Sequence, residues 1–332
     1  MYFTSKINPV LFIAEVGSNH EGNFKEAKKL VINACNTDSD VVKLQIFTAE
    51  NLVSKKYDNK RFEHFKKLEL STSQNTQLFK IIKSKKKKSS ASIWDVEQVD
   101  LFKSFIDIYK IGSGDIHNFE IIKKIILLKK PLIISTGLST VRDISITLSF
   151  IKSIDKRFIS SGKLAILHCN TAYPTPKEDS YLGTIKYLKN KFKIDVGYSD
   201  HSVGDEVITY AYLLGSKIVE KHFSNTINKK SFRDHFISLN EDGVKKYLDK
   251  IRLINKFTNI RKDLTISEKK QKNLISFRRS IYAKKNIKRG DLFSNKNLIC
   301  LRPFKKISSN NYFKLKSKKS KFNFKKGDLI KL

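Results

Sequence analysis

Ile194-Asp-Val-Gly-Tyr-Ser-Asp-His201 and Lys217-Ile-Val-Glu-Lys-His222 are two short runs in which an apolar stretch ends in a histidine with a carboxylate close by. Residues 194–198 and 217–219 read as buried parallel strands, and the polar end falls at the same end of both. Two imidazoles at neighbouring strand ends are candidate ligands for a divalent cation, and they leave coordination positions for water and an oxygen-bearing substrate. Hydrogen-bonded strand-end histidines without a metal are the plainer alternative. The rest of the chain decides between them.

Upstream, short apolar runs alternate with longer amphipathic stretches, the pattern of repeated βα units around a parallel sheet. The runs are residues 11–16, 41–47, 90–94, 108–111, 132–135, 164–168, 195–199 and 217–222, and stretches such as 25–34, 120–128 and 205–214 between them have helical spacing. Eight such units predict an α/β fold, a closed (β/α)8 TIM barrel. Polar residues collect where each run stops. Glu15 with Asn19 and His20 follows the first, Lys43 and Gln45 lie on the second, Ser92 and Asp95 on the third, and Lys110 with Ser113 and Asp115 on the fourth. Ser135 and Thr136 close the fifth, His168 to Thr171 with Tyr173 the sixth, and the two histidine clusters the last two. In a barrel these ends share one rim, where the active sites of barrel enzymes lie, so the pattern argues for an enzyme.

Lys43 alternates with Val42 and Leu44. An outward lysine would snorkel to solvent, but alternate positions of a buried barrel strand point into the lumen, and Lys110 has the same placement. Two inward lysines beside Ser92, Ser113 and Ser135 make a small anion site, because ammonium and hydroxyl groups both donate to phosphate oxygens.

The 332 residues are enough for one large domain and a small one, and they carry 66 Lys+Arg against 32 Asp+Glu, a formal net charge of +34. A charge of that size suits nucleic acid, an acidic membrane surface or an anionic small substrate. The basic residues are overwhelmingly lysines scattered through every segment, however, whereas base and phosphate recognition favours arginine forks. Compositional bias and solubility account for the charge, and neither a nucleic-acid nor a membrane partner is expected. The densest run, residues 85–88, reads as a solvated helix end. Cys35, Cys169 and Cys300 are far apart without CxxC spacing, which suggests neither disulfides nor a cysteine metal site and fits a reducing cytoplasm. Residues 10–16 are too short to span a bilayer and lack a signal-peptide pattern, so a cytoplasmic location is expected.

Beyond residue 257 the pattern changes. Residues 258–277 read as a helix-containing linker after a 1–257 catalytic barrel, and residues 278–332 as a small, mostly β domain. Asn286-Ile-Lys-Arg-Gly-Asp-Leu-Phe293 matches Asn323-Phe-Lys-Lys-Gly-Asp-Leu-Ile330, an internal repeat in which glycine supplies a positive φ before an apolar strand. A module this small is expected to want support from a partner surface.

In order, these motifs resemble the sialic acid (nonulosonate) synthases, which condense phosphoenolpyruvate with an N-acetylated hexose. The resemblance covers nearly the whole chain: Ala14-Glu-Val-Gly-Ser-Asn-His20, Val42-Lys-Leu-Gln45, Lys110-Ile-Gly-Ser-Gly-Asp115, Ser135-Thr-Gly137, Leu167-His-Cys169 leading to Tyr173-Pro-Thr-Pro176, Ser199-Asp-His201 and Glu220-Lys-His-Phe223. The C-terminal part, from Arg278-Arg-Ser280 and including Arg302-Pro303, is similar to that family's antifreeze-like (SAF) domain. The resemblance implies a divalent metal, Mn²⁺ first with Mg²⁺ or Co²⁺ as alternatives, on His201 and His222. It implies phosphoenolpyruvate held by Lys43, Ser92, Lys110, Ser113, Ser135, Thr171 and Ser199, and Glu15 and Asp115 as catalytic carboxylates, Asp115 for proton transfer. Glu15, Gln45, Tyr173 and Asp234 would contact the sugar, and Arg302 would reach it from the partner subunit of a domain-swapped homodimer.

Departures from the family pattern fall on the sugar side. Ser92-Ile-Trp94 stands for the usual Thr-Pro-Phe, Phe304-Lys-Lys306 replaces the glycines after Arg302-Pro303, and the stretch before Asp234 lacks the usual Gly-Pro. N-acetylmannosamine is the default acceptor, with a diacetamido-trideoxyhexose, giving legionaminate or pseudaminate, as the alternative. A metal-dependent barrel aldolase would explain the rim but not the paired lysines with serines. A non-catalytic polyanion binder would be indifferent to loss of either histidine.

Overall fold

Each apolar run is a strand: β1 (Leu11–Glu15), β2 (Val41–Ile46), β3 (Lys88–Ile93), β4 (Ile108–Ile111), β5 (Leu132–Ser135), β6 (Leu164–Cys169), β7 (Asp195–Asp200) and β8 (Ile218–His222). They pair in chain order, all parallel, and β1 pairs with β8 to close a barrel with helices between the strands. This computed structural model describes residues 2–227, 232–258, 262–263 and 265–332.

The two-residue period of the strands divides each of them between a lumen face and a helix face. At the N-terminal end of the lumen Leu11, Ile13, Val41, Ile108, Ile133, Ala165, Leu167 and Ile218 pack with Phe3 into an apolar plug. One step further along the same faces the side chains become polar, with Glu15 registered beside Lys43 and His222, and Ser199 beside Glu220. The alternate positions, among them Phe12, Val42, Leu44, Tyr109, Ile134, Val196 and Val219, form the larger core against the helices. Helix Phe24–Asn36 shows why those helices form. Ala27, Leu30, Val31 and Ala34 repeat at three- and four-residue intervals on its buried side, and the Asn23 side chain caps its first turn.

β3 begins at Lys88, two residues before the expected start, and the lysine run there is not simply a solvated helix end. Lys85 caps helix Thr72–Ser84, while Lys87 Nζ donates to the carbonyls of Thr37 and Ser39, each at 2.7 Å. That ammonium satisfies carbonyls of the loop entering β2.

The chain divides into two compact units, residues 1–258 and 259–332. Of the segment read as a linker, the described part carries two short helices, Ile266–Lys270 and Asn273–Phe277, inside the second unit. Among the described residues of that unit the paired strands are one antiparallel pair, β9 (Ser280–Ala283) with β10 (Leu298–Leu301). The sequence repeat accounts for much of the remainder, because its two copies bind each other. Ile287 and Phe324 exchange backbone hydrogen bonds of 2.8 Å, Asn323 Oδ1 accepts from Arg289 N at 2.7 Å, and Asn286 Oδ1 accepts from Lys326 N at 2.8 Å. Gly290 and Gly327 hold matching φ values of 92° and 90°. Phe293 and Ile330, which follow the two turns, enter a small core with Ile281, Ala283, Leu298 and Leu315. Among the described residues no helix is long and apolar enough to cross a membrane.

Gly197 is required by close approach in the lumen: a Cβ there would lie 2.4 Å from the Ile218 carbonyl oxygen and 2.5 Å from Leu167 Cδ2. Gly197→Ala is expected to destabilise the barrel by about 1–3 kcal/mol in urea unfolding. Gly183→Ala, where a Cβ meets nothing within 4 Å, is the control. Equal midpoints for the two variants would contradict the packing assigned to the lumen.

Candidate active site at the barrel rim

The polar end of the lumen is built on charges that face one another. Lys43 Nζ lies 2.5 Å from Glu15 Oε2 and 3.1 Å from Glu220 Oε2, and Lys110 Nζ lies 3.2 Å from Glu220 Oε1. Ser199 Oγ donates to Glu220 Oε1 at 2.9 Å, Lys43 Nζ donates to Ser92 Oγ at 3.4 Å, and Gln45 Nε2 donates to Glu15 Oε1 at 3.0 Å. All of these side chains except Gln45 are buried; Gln45 is partly so. Burial lowers the Lys43 ammonium to about 7 by disfavouring its charge, with Glu220 opposing the shift. Burial alone would raise the Glu220 carboxyl, but the Lys110 and Lys43 ammoniums hold it well below the usual carboxylate range.

Glu220 is the residue that sequence reasoning left without a role. It contacts three side chains assigned to the anion site, Lys43, Lys110 and Ser199. Its place two residues before His222, on the same strand face, was the available signal. Ser135 Oγ is buried without a hydrogen-bond partner. Beside it on the rim, Ser113 Oγ accepts from Gly137 N at 3.1 Å, and a Cβ on Gly137 would lie 2.9 Å from Thr171 Cγ2. Lys43, Lys110, Ser92 and Ser199 therefore converge around Glu220, and Ser113 and Thr171 meet at Gly137.

The two histidines face each other, ring centroids 5.6 Å apart. The Asn170 carbonyl, 2.6 Å from His201 Nδ1, can only accept, so that nitrogen carries the proton and Nε2 keeps its lone pair. Burial pushes both imidazoles down to about 3, with His222 adding to the shift at His201 and Lys43 to that at His222. Both are neutral at physiological pH, as metal ligation demands. His222 Nδ1 is buried with no hydrogen-bond partner and lies 3.9 Å from Asp234 Oδ2. Among the described residues no cluster of three or more His, Cys, Asp or Glu could hold a metal. The donors present fit a cation that takes the rest of its ligands from substrate and water.

Tyr173 stacks on His201 at 4.0 Å between centroids, and the Arg233 guanidinium lies 4.4 Å over the Tyr173 ring. Burial raises the Asp234 carboxyl although Arg233 is adjacent. Asp115 is likewise raised by burial, while the Asn118 side chain and the Trp94 indole N–H donate to it. Trp94 packs on Phe47 with centroids 5.4 Å apart, so the aromatic at this departure from the family pattern has a polar use that phenylalanine could not serve. Arg302 is exposed in the second unit, its guanidinium 5.3 Å over the Phe277 ring of the same unit. The residues before Asp234, 228–231, lie outside the described residues.

A cavity of about 660 Å³ lies at the other end of the barrel, where Leu164 and Ile194 enter β6 and β7, and is lined by Lys152, Lys156, Lys189 and Lys193 among others. Lys152 and Lys189 belong to the last turns of helices Val141–Ile154 and Gly183–Phe192, where a cation complements the helix dipole. This explains them without a ligand.

A closed barrel whose rim gathers buried lysines, carboxylates and neutral histidines has the arrangement of a barrel enzyme's active site. Comparison with known proteins gives the family. The NeuB family model matches residues 30–262. The chain is 36% identical to the N,N'-diacetyllegionaminic acid synthase of Campylobacter jejuni over 97% of this chain and 98% of that one, and 32% identical to the pseudaminic acid synthase of the same species over 97% and 95%. The solved structure of a spore coat polysaccharide biosynthesis protein E from Chromobacterium violaceum superposes with a TM-score of 0.82 at 25% identity, covering 97% of this chain and 98% of that one. The chain belongs to the NeuB family, and it is an enzyme of the nonulosonate-synthase class.

The buried histidines make stability depend on pH. The unfolded chain binds protons at histidine below about 6.5, whereas the folded imidazoles resist until about 3, so stability is lost as pH falls through that window. Each histidine contributes a slope of about 1.4 kcal/mol per pH unit. In chelator-treated protein, His222→Gln is expected to lose unfolding free energy less steeply than wild type between pH 6 and pH 4. Parallel slopes would contradict the buried neutral state.

Proposed function

We propose that this enzyme condenses phosphoenolpyruvate with an N-acetylated hexose and water, giving a nonulosonic acid and inorganic phosphate. The observation that carries this reading is the pair of buried lysines, Lys43 and Lys110, bridged by Glu220 and bordered by serine hydroxyls at the barrel rim. A substrate with a carboxylate and a phosphate needs two such cations. The relatives' names support the product class.

Lys43 and Lys110 would hold the phosphate and carboxylate, with Ser92, Ser113, Ser135, Thr171 and Ser199 donating to the remaining oxygens. As the ligand enters, the ammoniums turn from Glu220 toward it, and its negative charge restores the ammonium form that burial disfavours in Lys43. Glu15, Gln45, Tyr173 and Asp234 would align the open-chain sugar so that its aldehyde carbon faces carbon 3 of phosphoenolpyruvate. Carbon 3 forms the new C–C bond, water adds to the cationic carbon 2, and the tetrahedral adduct expels phosphate with the bridging oxygen. Asp115, raised by burial, would be positioned to move a proton in that collapse. His201 and His222 would hold a divalent cation, Mn²⁺ first, whose contribution when bound is to polarise the aldehyde oxygen.

The second unit has a small core and a linked repeat, which supports a module that works against a partner surface. In a domain-swapped homodimer its Arg302 would reach the sugar's acyl group.

The direct test is phosphate release from phosphoenolpyruvate with Mn²⁺ and a panel of acceptors: N-acetylmannosamine, as the default, the two diacetamido-trideoxyhexoses, and mannose as control. Release with one acetamido sugar, lost on adding chelator, is expected; silence from every acceptor by folded protein would contradict the reading. His222→Ala is expected to abolish turnover with the circular dichroism spectrum unchanged. Arg302→Ala is expected to raise KM for the sugar far more than for phosphoenolpyruvate, and equal effects on both would exclude the swapped contact.

A further inference from the structure

Directly behind the two histidines, on the helix side of the sheet, lies an ion pair that the chemistry above does not use. Asp200 registers with Lys221 across β7 and β8, and both side chains are 0% exposed. Lys221 Nζ lies 2.5 Å from Asp200 Oδ2 and donates at the same distance to the Ser202 carbonyl. Asp200 in turn accepts from Ser202 N at 3.1 Å through Oδ1 and from Ser202 Oγ at 3.0 Å through Oδ2. The residues flanking His201, Asp200 and Ser202, are thus both tied to Lys221, and Lys221 is the residue before His222.

A fully buried ion pair does not repay its desolvation better than apolar side chains of the same volume would, so stability does not explain this one. It does have a geometric effect. The strand period turns Lys221 and Asp200 away from the lumen, so the side chains next to them in sequence face it or the rim. A bond between the two therefore sets how far apart the chain segments carrying the imidazoles lie. The Asn170 carbonyl fixes His201 ring rotation from the other side. With those restraints the histidine rings are held 5.6 Å apart while His222 Nδ1 itself has no partner.

We propose that the Asp200–Lys221 pair is a positioning device that pre-sets the spacing of His201 and His222 for a divalent cation. This rests on the reading of those histidines as metal ligands. Partners that act through metal ligands in this way are worth about 10–100-fold in metal affinity.

The test measures Mn²⁺ binding to metal-stripped full-length protein by electron paramagnetic resonance of the free ion, with thermal unfolding in parallel. The double variant Asp200→Leu/Lys221→Met replaces the pair by apolar volume. It is expected to unfold near the wild-type temperature yet bind Mn²⁺ at least about tenfold more weakly. Asp200→Asn, nearly isosteric, is expected to fall between the two and serves if the double variant does not fold. Wild-type affinity in the variants, with His222→Ala binding lost, would overturn the positioning role alone. Absence of Mn²⁺ binding by wild type, or full binding by His222→Ala, would remove the two-histidine site and the role of the pair with it.

Discussion

Two lysines inside a barrel are tolerable only if something there carries the opposite charge, and Glu220 does so for both. It lies 3.1 Å from Lys43 and 3.2 Å from Lys110, takes a hydrogen bond from Ser199, and is buried with them. Removing any one member would strand a charge in a medium of low dielectric constant, which costs far more than an exposed ion pair contributes. In the proposed reaction the cluster would be a reservoir of positive charge for an anion, with the carboxylate standing in until the anion arrives. Strands β1, β2, β3, β4, β7 and β8 each supply a side chain to the cluster, Glu15, Lys43, Ser92, Lys110, Ser199 and Glu220, which is why they end in step.

The barrel meets that demand by splitting its lumen along the axis. The apolar plug around Leu11, Ile108, Ile133 and Ile218 fills the N-terminal end and supplies low-dielectric walls beneath a polar layer that is itself buried. The same walls push Lys43, His201 and His222 toward their neutral forms and Asp115 and Asp234 toward theirs. A site in which cations, acids and imidazoles are all displaced from their solution behaviour is suited to proton transfer near neutral pH. The proposed positioning role of the Asp200–Lys221 pair would extend the logic one layer outward, from the charges at the rim to the segments that carry the histidines.

Much of this was legible in the chain. Short apolar runs located all eight strands to within about two residues, and the polar residue at each strand end named the rim, because burial on both faces leaves a parallel strand few places for a charge. What alternation could not give is which inward charges pair. Glu220 was visible as part of Glu220-Lys-His222, but only the register of β8 with β7, and the crossing of the lumen, brings it to Lys43 and Lys110. Trp94 stood out as a departure without showing that its N–H meets Asp115, a contact made across β3 and β4. Lys87 was hidden in a lysine run whose composition masks the one ammonium that has buried carbonyls to satisfy. In the second unit the repeat was readable but its consequence was not: the copies bind each other through reciprocal asparagines, and among the described residues there is one short strand pair where more β-structure was expected.

The claim that matters most in the proposed function is that Glu220 cedes its lysines to phosphoenolpyruvate. A crystal structure of the enzyme soaked with Mn²⁺ and phosphoenolpyruvate measures this directly. The expected result is the phosphate and carboxylate on Lys43 and Lys110 with Ser135 Oγ donating, and both ammoniums displaced from Glu220. Phosphoenolpyruvate bound elsewhere, or absent while the Lys43–Glu220–Lys110 cluster stays closed, would contradict it.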